Sequence, residues 1–150
     1  MGESPIPPQP DFLIQLRRAQ HAVRLQLDAE LAATGLTTPQ YTVLAALERE
    51  GELSASDLAR EFGMTAQTVN VLVKALEACG LVRRTRHPDH GRILLASLTP
   101  SGVQALQHGR ELALSVQDRV LRRLTPADRA KLVSLLKTVE ETPAGDARSS

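Results

Sequence analysis

The chain has 150 residues, 42% of them hydrophobic and only 2% aromatic, and carries a formal net charge of +1. That length suits one compact domain, or a small domain with appended helices, around an aliphatic core led by leucine. A single cysteine excludes an internal disulfide framework, and no run is apolar enough to span a membrane, so the composition points to a soluble cytoplasmic protein.

The opening MGESPIPPQP lacks the apolar core of a secretory signal. Residues 1–10 and 142–150, rich in Pro, Gly, Ser and charge, read as mobile ends. From Asp11 to about Thr34, Leu13, Leu16, Val23, Leu27 and Leu31 recur near helical spacing, and Gly35 stops that helix. Thr38-Pro39 opens the next helix, as an N-cap followed by proline. The same pair recurs at Thr99-Pro100 and Thr125-Pro126.

Ser54 begins a short helix, with Asp57 at capping-box spacing and Leu53 and Leu58 at the staple positions. Phe62-Gly63 ends it, and Gly63 can take the left-handed conformation of a sharp turn. Thr65 caps a second helix by accepting from the amide of Gln67 or Thr68, with Met64 and Val69 as its staple. Val69, Leu72, Val73 and Leu76 line one face of that helix. Ala66, Gln67, Thr68, Asn70, Val71 and Lys74 are left towards the other side.

Gly80 terminates the helix after Cys79, and an extended run begins at Leu81-Val82. Arg83, Arg84 and Arg86 follow, then a turn from His87 to Arg92 and a returning strand from Ile93 to Leu98. Beyond it, Val103, Leu106, Ala113, Val116, Val120 and Leu124 form one long stripe. Leu132, Leu135, Leu136 and Val139 form a shorter one.

Two helices about a tight turn, followed by a basic hairpin, point to sequence-specific binding of duplex DNA. The second helix of such a pair can lie in the major groove. Small and amide side chains near its N-terminus suit base edges, and Lys74 suits a phosphate. Four arginines against one aspartate give the stretch from Arg83 to Arg92 a charge of +3 with histidines neutral, on a chain that carries +1.

Three segments, TTPQYTVLAAL (37–47), LSASDLAREFGMTAQTVNVLVKALEACGLVRR (53–84) and DHGRILLASLTPSG (89–102), resemble the MarR-type (multiple antibiotic resistance regulator) winged-helix transcription factors. The resemblance implies a mainly α fold with a small β-hairpin wing. It implies a domain over 11–141, with a DNA-binding lobe at 37–99 and dimerisation helices at 11–34 and 100–141. It further implies a homodimer repressing from a near-palindromic operator, and a small phenolic or aromatic effector bound between the dimerisation helices and the lobe. The residues expected to meet DNA are Ser54, Thr65, Ala66, Gln67, Thr68, Asn70, Val71, Lys74, Arg83, Arg84, Arg86, His90 and Arg92. His21, Arg24 and Tyr41 are the pocket residues expected from polarity and position.

Two positions depart from the family pattern. His90 stands where an aspartate usually braces the wing arginine, here Arg92, and Val71 stands where the recognition helix often has an arginine.

Other readings are open. Cys79 could serve a redox sensor, although a buried small hydrophobe is the better reading. His21, His87, His90 and His108 could bind a metal, but show no i, i+4 helical pair. An enzyme built on Cys79 lacks any phosphate loop or nucleophile elbow. A protein-binding winged helix runs against the arginine-rich hairpin. No cofactor is expected.

Overall fold

The computed structural model describes residues 11–141; the expected mobile ends lie outside them. The helices are α1 (Phe12–Leu31), α2 (Thr38–Glu50), α3 (Ala55–Phe62), α4 (Ala66–Ala78), α5 (Pro100–Val120) and α6 (Pro126–Glu140). The strands are β1 (Leu53–Ser54), β2 (Val82–Arg86) and β3 (Leu94–Leu98). This is the mainly helical winged-helix architecture expected from the sequence. The chain divides into two compact units, one up to Val116 and one from Gln117 onward.

In the first unit each helix of the central pair starts where its cap predicts. The Ser54 hydroxyl accepts from the Asp57 amide (3.1 Å), and the Asp57 carboxylate accepts from the Ser54 amide (3.1 Å) and hydroxyl (2.6 Å). Those bonds, led by the Ser54 hydroxyl, hold the Asp57 carboxyl below its ordinary pKa of 3.8. Thr65 Oγ1 accepts from the Thr68 amide (3.1 Å). Between the helices Gly63 sits at φ 61°, a left-handed conformation that a Cβ would disfavour. The Met64 amide donates to the Ala59 carbonyl (3.0 Å), which closes the turn.

The core is aliphatic, as the composition requires. Leu31, Val43, Leu44, Leu47, Leu58, Val69, Leu76 and Leu106 are its most buried side chains. The sheet has the order β1-β3-β2 and is antiparallel throughout. Leu53 and Ser54 supply the third strand, pairing with Ala96 and Leu95. Two residues carry no alternation to read, so the sequence signalled only the hairpin.

Thr99 fastens the hairpin to α5. Its amide donates to the Leu81 carbonyl (3.1 Å), its hydroxyl donates to the Gly80 carbonyl (2.6 Å) and accepts from the Gly102 amide (3.0 Å). A Cβ on Gly102 would stand 2.0 Å from the Leu81 carbonyl oxygen. The buried side of α5 runs through Gly102, Leu106, Gly109 and Val116, a side that counting apolar residues understates. At Gly109 a Cβ would lie 2.9 Å from the Tyr41 ring.

Four local expectations need correction. The N-cap of α2 is Thr37, in a capping box with Gln40, because Thr38 gives its amide (3.0 Å) and hydroxyl (2.6 Å) to Asp28 instead. The stripe ending at Leu124 is not one helix: α5 stops at Val120 and a turn follows. In the second unit that turn is pinned by Arg129, whose Nε donates to the Leu121 carbonyl (3.1 Å) and whose Nη1 reaches Asp118 (3.3 Å). Cys79 is exposed, not buried. It lies at the C-cap of α4, and after the turn at Gly80 it is Leu81 that packs against the core. Ser54 is only 9% exposed, its hydroxyl being spent on the cap, so it leaves the set of expected DNA contacts.

Two stability measurements check these constraints. Gly102→Ala must push against a carbonyl fixed in the strand junction, and should cost about 1–3 kcal/mol in chemical denaturation. Ser54→Ala should cost about 1 kcal/mol at neutral pH. Because the folded Asp57 carboxyl titrates below 3.8, its bonds contribute fully above that value and are lost as pH falls through the folded one. The gap between Ser54→Ala and the parent should therefore narrow in acid.

Candidate nucleic-acid interface

The face of α4 turned away from the core carries Ala66, Gln67, Thr68, Asn70, Val71 and Lys74, all exposed, with Thr65 exposed at its cap. Core packing leaves them there: Val69, Val73 and Leu76 are buried on the opposite side. The Thr65 and Thr68 hydroxyls lie 2.9 Å apart, so one hydroxyl proton is shared along the first turn.

Strand alternation sorts the arginines of the wing. Arg84 shares a face with Val82, which is buried, and so turns towards α4. There its Nε (2.9 Å) and Nη2 (2.5 Å) both donate to Glu77, and this lowers the Glu77 pKa. The expectation that Arg84 meets DNA is therefore revised: its guanidinium ties β2 to the end of α4. Glu77 was missed because its partner lies beyond the Gly80 turn. Arg83 is on the other face, where its Nε donates to Ser97 (3.2 Å), its cross-strand neighbour.

At the tip of the wing the His87 amide donates to the Ile93 carbonyl and the Ile93 amide to the His90 carbonyl, both at 2.8 Å. His87 Nδ1 accepts from the amides of Asp89 (3.1 Å) and His90 (3.2 Å). The two imidazole rings lie 5.1 Å apart. The tip is thus organised by an imidazole acceptor and not by a carboxylate beside Arg92. Among the described residues the side chains of Lys74, Arg86 and Arg92 make no hydrogen bond or ion pair, which leaves three exposed cations without partners on α4 and the wing.

A family model for the MarR family matches residues 34–93. The HTH-type transcriptional repressor Rv2887 of Mycobacterium tuberculosis is 31% identical over 122 residues, spanning 81% of this chain and 88% of the repressor. The chain belongs to the MarR family. The structure of Bordetella bronchiseptica BpsR, described with the regulation of its DNA binding by 6-hydroxynicotinic acid, matches with a TM-score of 0.81. It is 25% identical and covers 95% of this chain and 100% of that one. The structure of the M. tuberculosis MarR family protein Rv2887 in complex with salicylic acid matches with a TM-score of 0.73 at 29% identity, covering 88% and 98%.

The MarR family is one of DNA-binding transcriptional regulators, not of enzymes. Among the described residues no helix of this member is long and apolar enough to cross a membrane. Of the residues expected to form an effector pocket, His21 and Arg24 line one cavity and Tyr41 stands apart from them. Arg24 borders two cavities: one of about 430 Å³ with Asp28, Leu36 and Pro39, and one of about 460 Å³ with Ile14, Arg17 and His21. Tyr41 lines neither of these, and packs on Gly109. Arg24 keeps only a 3.5 Å contact with Asp28, whose carboxylate is already engaged by Thr38 and held below its ordinary pKa by those bonds.

Proposed function

We propose that this MarR-family member is a cytoplasmic repressor that binds a near-palindromic operator as a homodimer and releases it on binding a hydroxylated aromatic carboxylic acid. The observation that carries the DNA reading is the exposed polar face of α4 with the unpartnered cations Lys74, Arg86 and Arg92 beside it. Gln67, Thr68 and Asn70 meet base edges, Thr65, Ala66 and Val71 complete the same face, and Lys74 neutralises a phosphate. The wing, through Arg83, Arg86 and Arg92 with His90 at its tip, contacts the backbone and adjoining minor groove.

Lys74→Ala should weaken all duplexes alike and lower the salt slope by about one, whereas Arg92→Ala should cost about 1–3 kcal/mol of operator affinity. Titration at several salt concentrations checks both, and an unchanged affinity for Arg92→Ala would remove the wing from the interface.

The dimer is supported by apolar surface that each compact unit leaves open. On α1, Leu13 is 71% exposed, with Phe12 and Ile14 beside it. Along α6, Leu132, Val133, Leu135, Leu136 and Val139 are all exposed and no residue is buried. A helix with no fully buried side chain among the described residues leaves its apolar stripe for another surface, and a second copy supplies one by symmetry. Two recognition helices would then read half-sites roughly 34–36 Å apart. Leu135→Glu should shift the chain towards monomer in sedimentation and abolish tight operator binding with it. A dimer of unchanged strength would exclude α6 from the interface.

The effector class is supported by the acids named for BpsR and Rv2887, 6-hydroxynicotinic and salicylic acid, and by the weakly engaged Arg24 between two cavities. Such a ligand acts only through its different affinity for the DNA-bound and free arrangements.

A further inference from the structure

Among the described residues Val71 is the only large apolar side chain of α4 that stands exposed, at 64%. At about 100° per residue it lies roughly 140–200° around the helix from Val69, Val73 and Leu76, which are buried. Its neighbours one turn away on the helix surface are Gln67 and Thr68 on one side and Lys74 on the other, all of them exposed.

An isolated exposed valine needs no explanation where a face meets only water. A face on the floor of a groove is different. Val71 lies on the same exposed face as Gln67 and Thr68, less than two turns from Ala66, the first residue of α4, within the N-terminal part of the helix that reaches base edges. Lys74 is about 4.5 Å further along the helix, and its ammonium suits a phosphate. Polar base edges present donors and acceptors that Val71 cannot satisfy, and covering one strips its water without return. The apolar base-edge feature of the major groove is the pyrimidine 5-methyl group.

We propose that Val71 is a specificity-determining residue that packs on the 5-methyl group of a pyrimidine in each half-site, from thymine or from 5-methylcytosine. The assignment rests on the docking of α4 in the major groove. It adds a contact that discriminates by shape and hydrophobicity where Gln67, Thr68 and Asn70 discriminate by hydrogen bonds.

The test uses the full chain and the tightest duplex selected from a random pool. Each thymine is replaced in turn by uracil, which removes the methyl group alone. At one thymine per half-site the affinity should fall about fourfold for each methyl lost. Val71→Ala, exposed and therefore able to fold, should bind the thymine and uracil duplexes equally. Cytosine and 5-methylcytosine are then compared at that position. A fourfold preference for the methylated base shows that either methyl is read, and no preference restricts the reading to thymine; both uphold the contact. Equal affinity for thymine and uracil at every position would overturn the proposal, as would a methyl effect that survives in Val71→Ala. Binding by the native chain without any sequence preference would instead overturn the base-reading function itself.

Discussion

The junction at Gly80, Leu81, Thr99 and Gly102 governs how α4, the wing and α5 are set against one another. At this point α4 ends, β2 begins, β3 ends and α5 starts. Thr99 makes three hydrogen bonds across this point, and the absence of a side chain at Gly102 lets α5 approach the Leu81 carbonyl. Backbone groups near the core must find partners or forfeit their solvation. Here one threonine satisfies several of them and removes the slack between four elements at once. α4, the wing and the first turns of α5 are consequently expected to move as a body, so that a displacement of α5 becomes a displacement of α4 and the wing.

Charge is distributed by the same logic. The hairpin looks uniformly basic in sequence, yet the pleat sends Arg84 inward to Glu77 and Arg83 to Ser97. Glu77–Arg84 braces the wing against α4, and the cations left for an anionic partner are the exposed Arg83, Arg86 and Arg92.

Helix starts were legible because a cap is a short-range device: Ser54 with Asp57 and Thr65 with Thr68 lie within one turn. The same reading erred by one residue at α2, since Thr38 is recruited by Asp28, ten positions away, and local spacing cannot register such a partner. The exposed face of α4 could be read from periodicity. What the sequence withheld was which cations are spent: Arg84 is tied across a turn and Arg92 is not, a distinction that depends on strand pairing. Glycines concealed the buried side of α5 for a related reason, because they mark close approach by lacking a side chain and so leave no apolar signal to count.

The chain has one tyrosine and no tryptophan, and that tyrosine, Tyr41, rests half-buried against Gly109, next to the Arg110 guanidinium that pairs with Glu48. The intrinsic ultraviolet emission of the molecule therefore comes mainly from one ring at the meeting of α2 and α5. Movement of α5 against the lobe alters the polarity and quenching around that ring directly. The protein carries a built-in optical gauge at the place through which a signal along α5 would pass, and it needs no attached label.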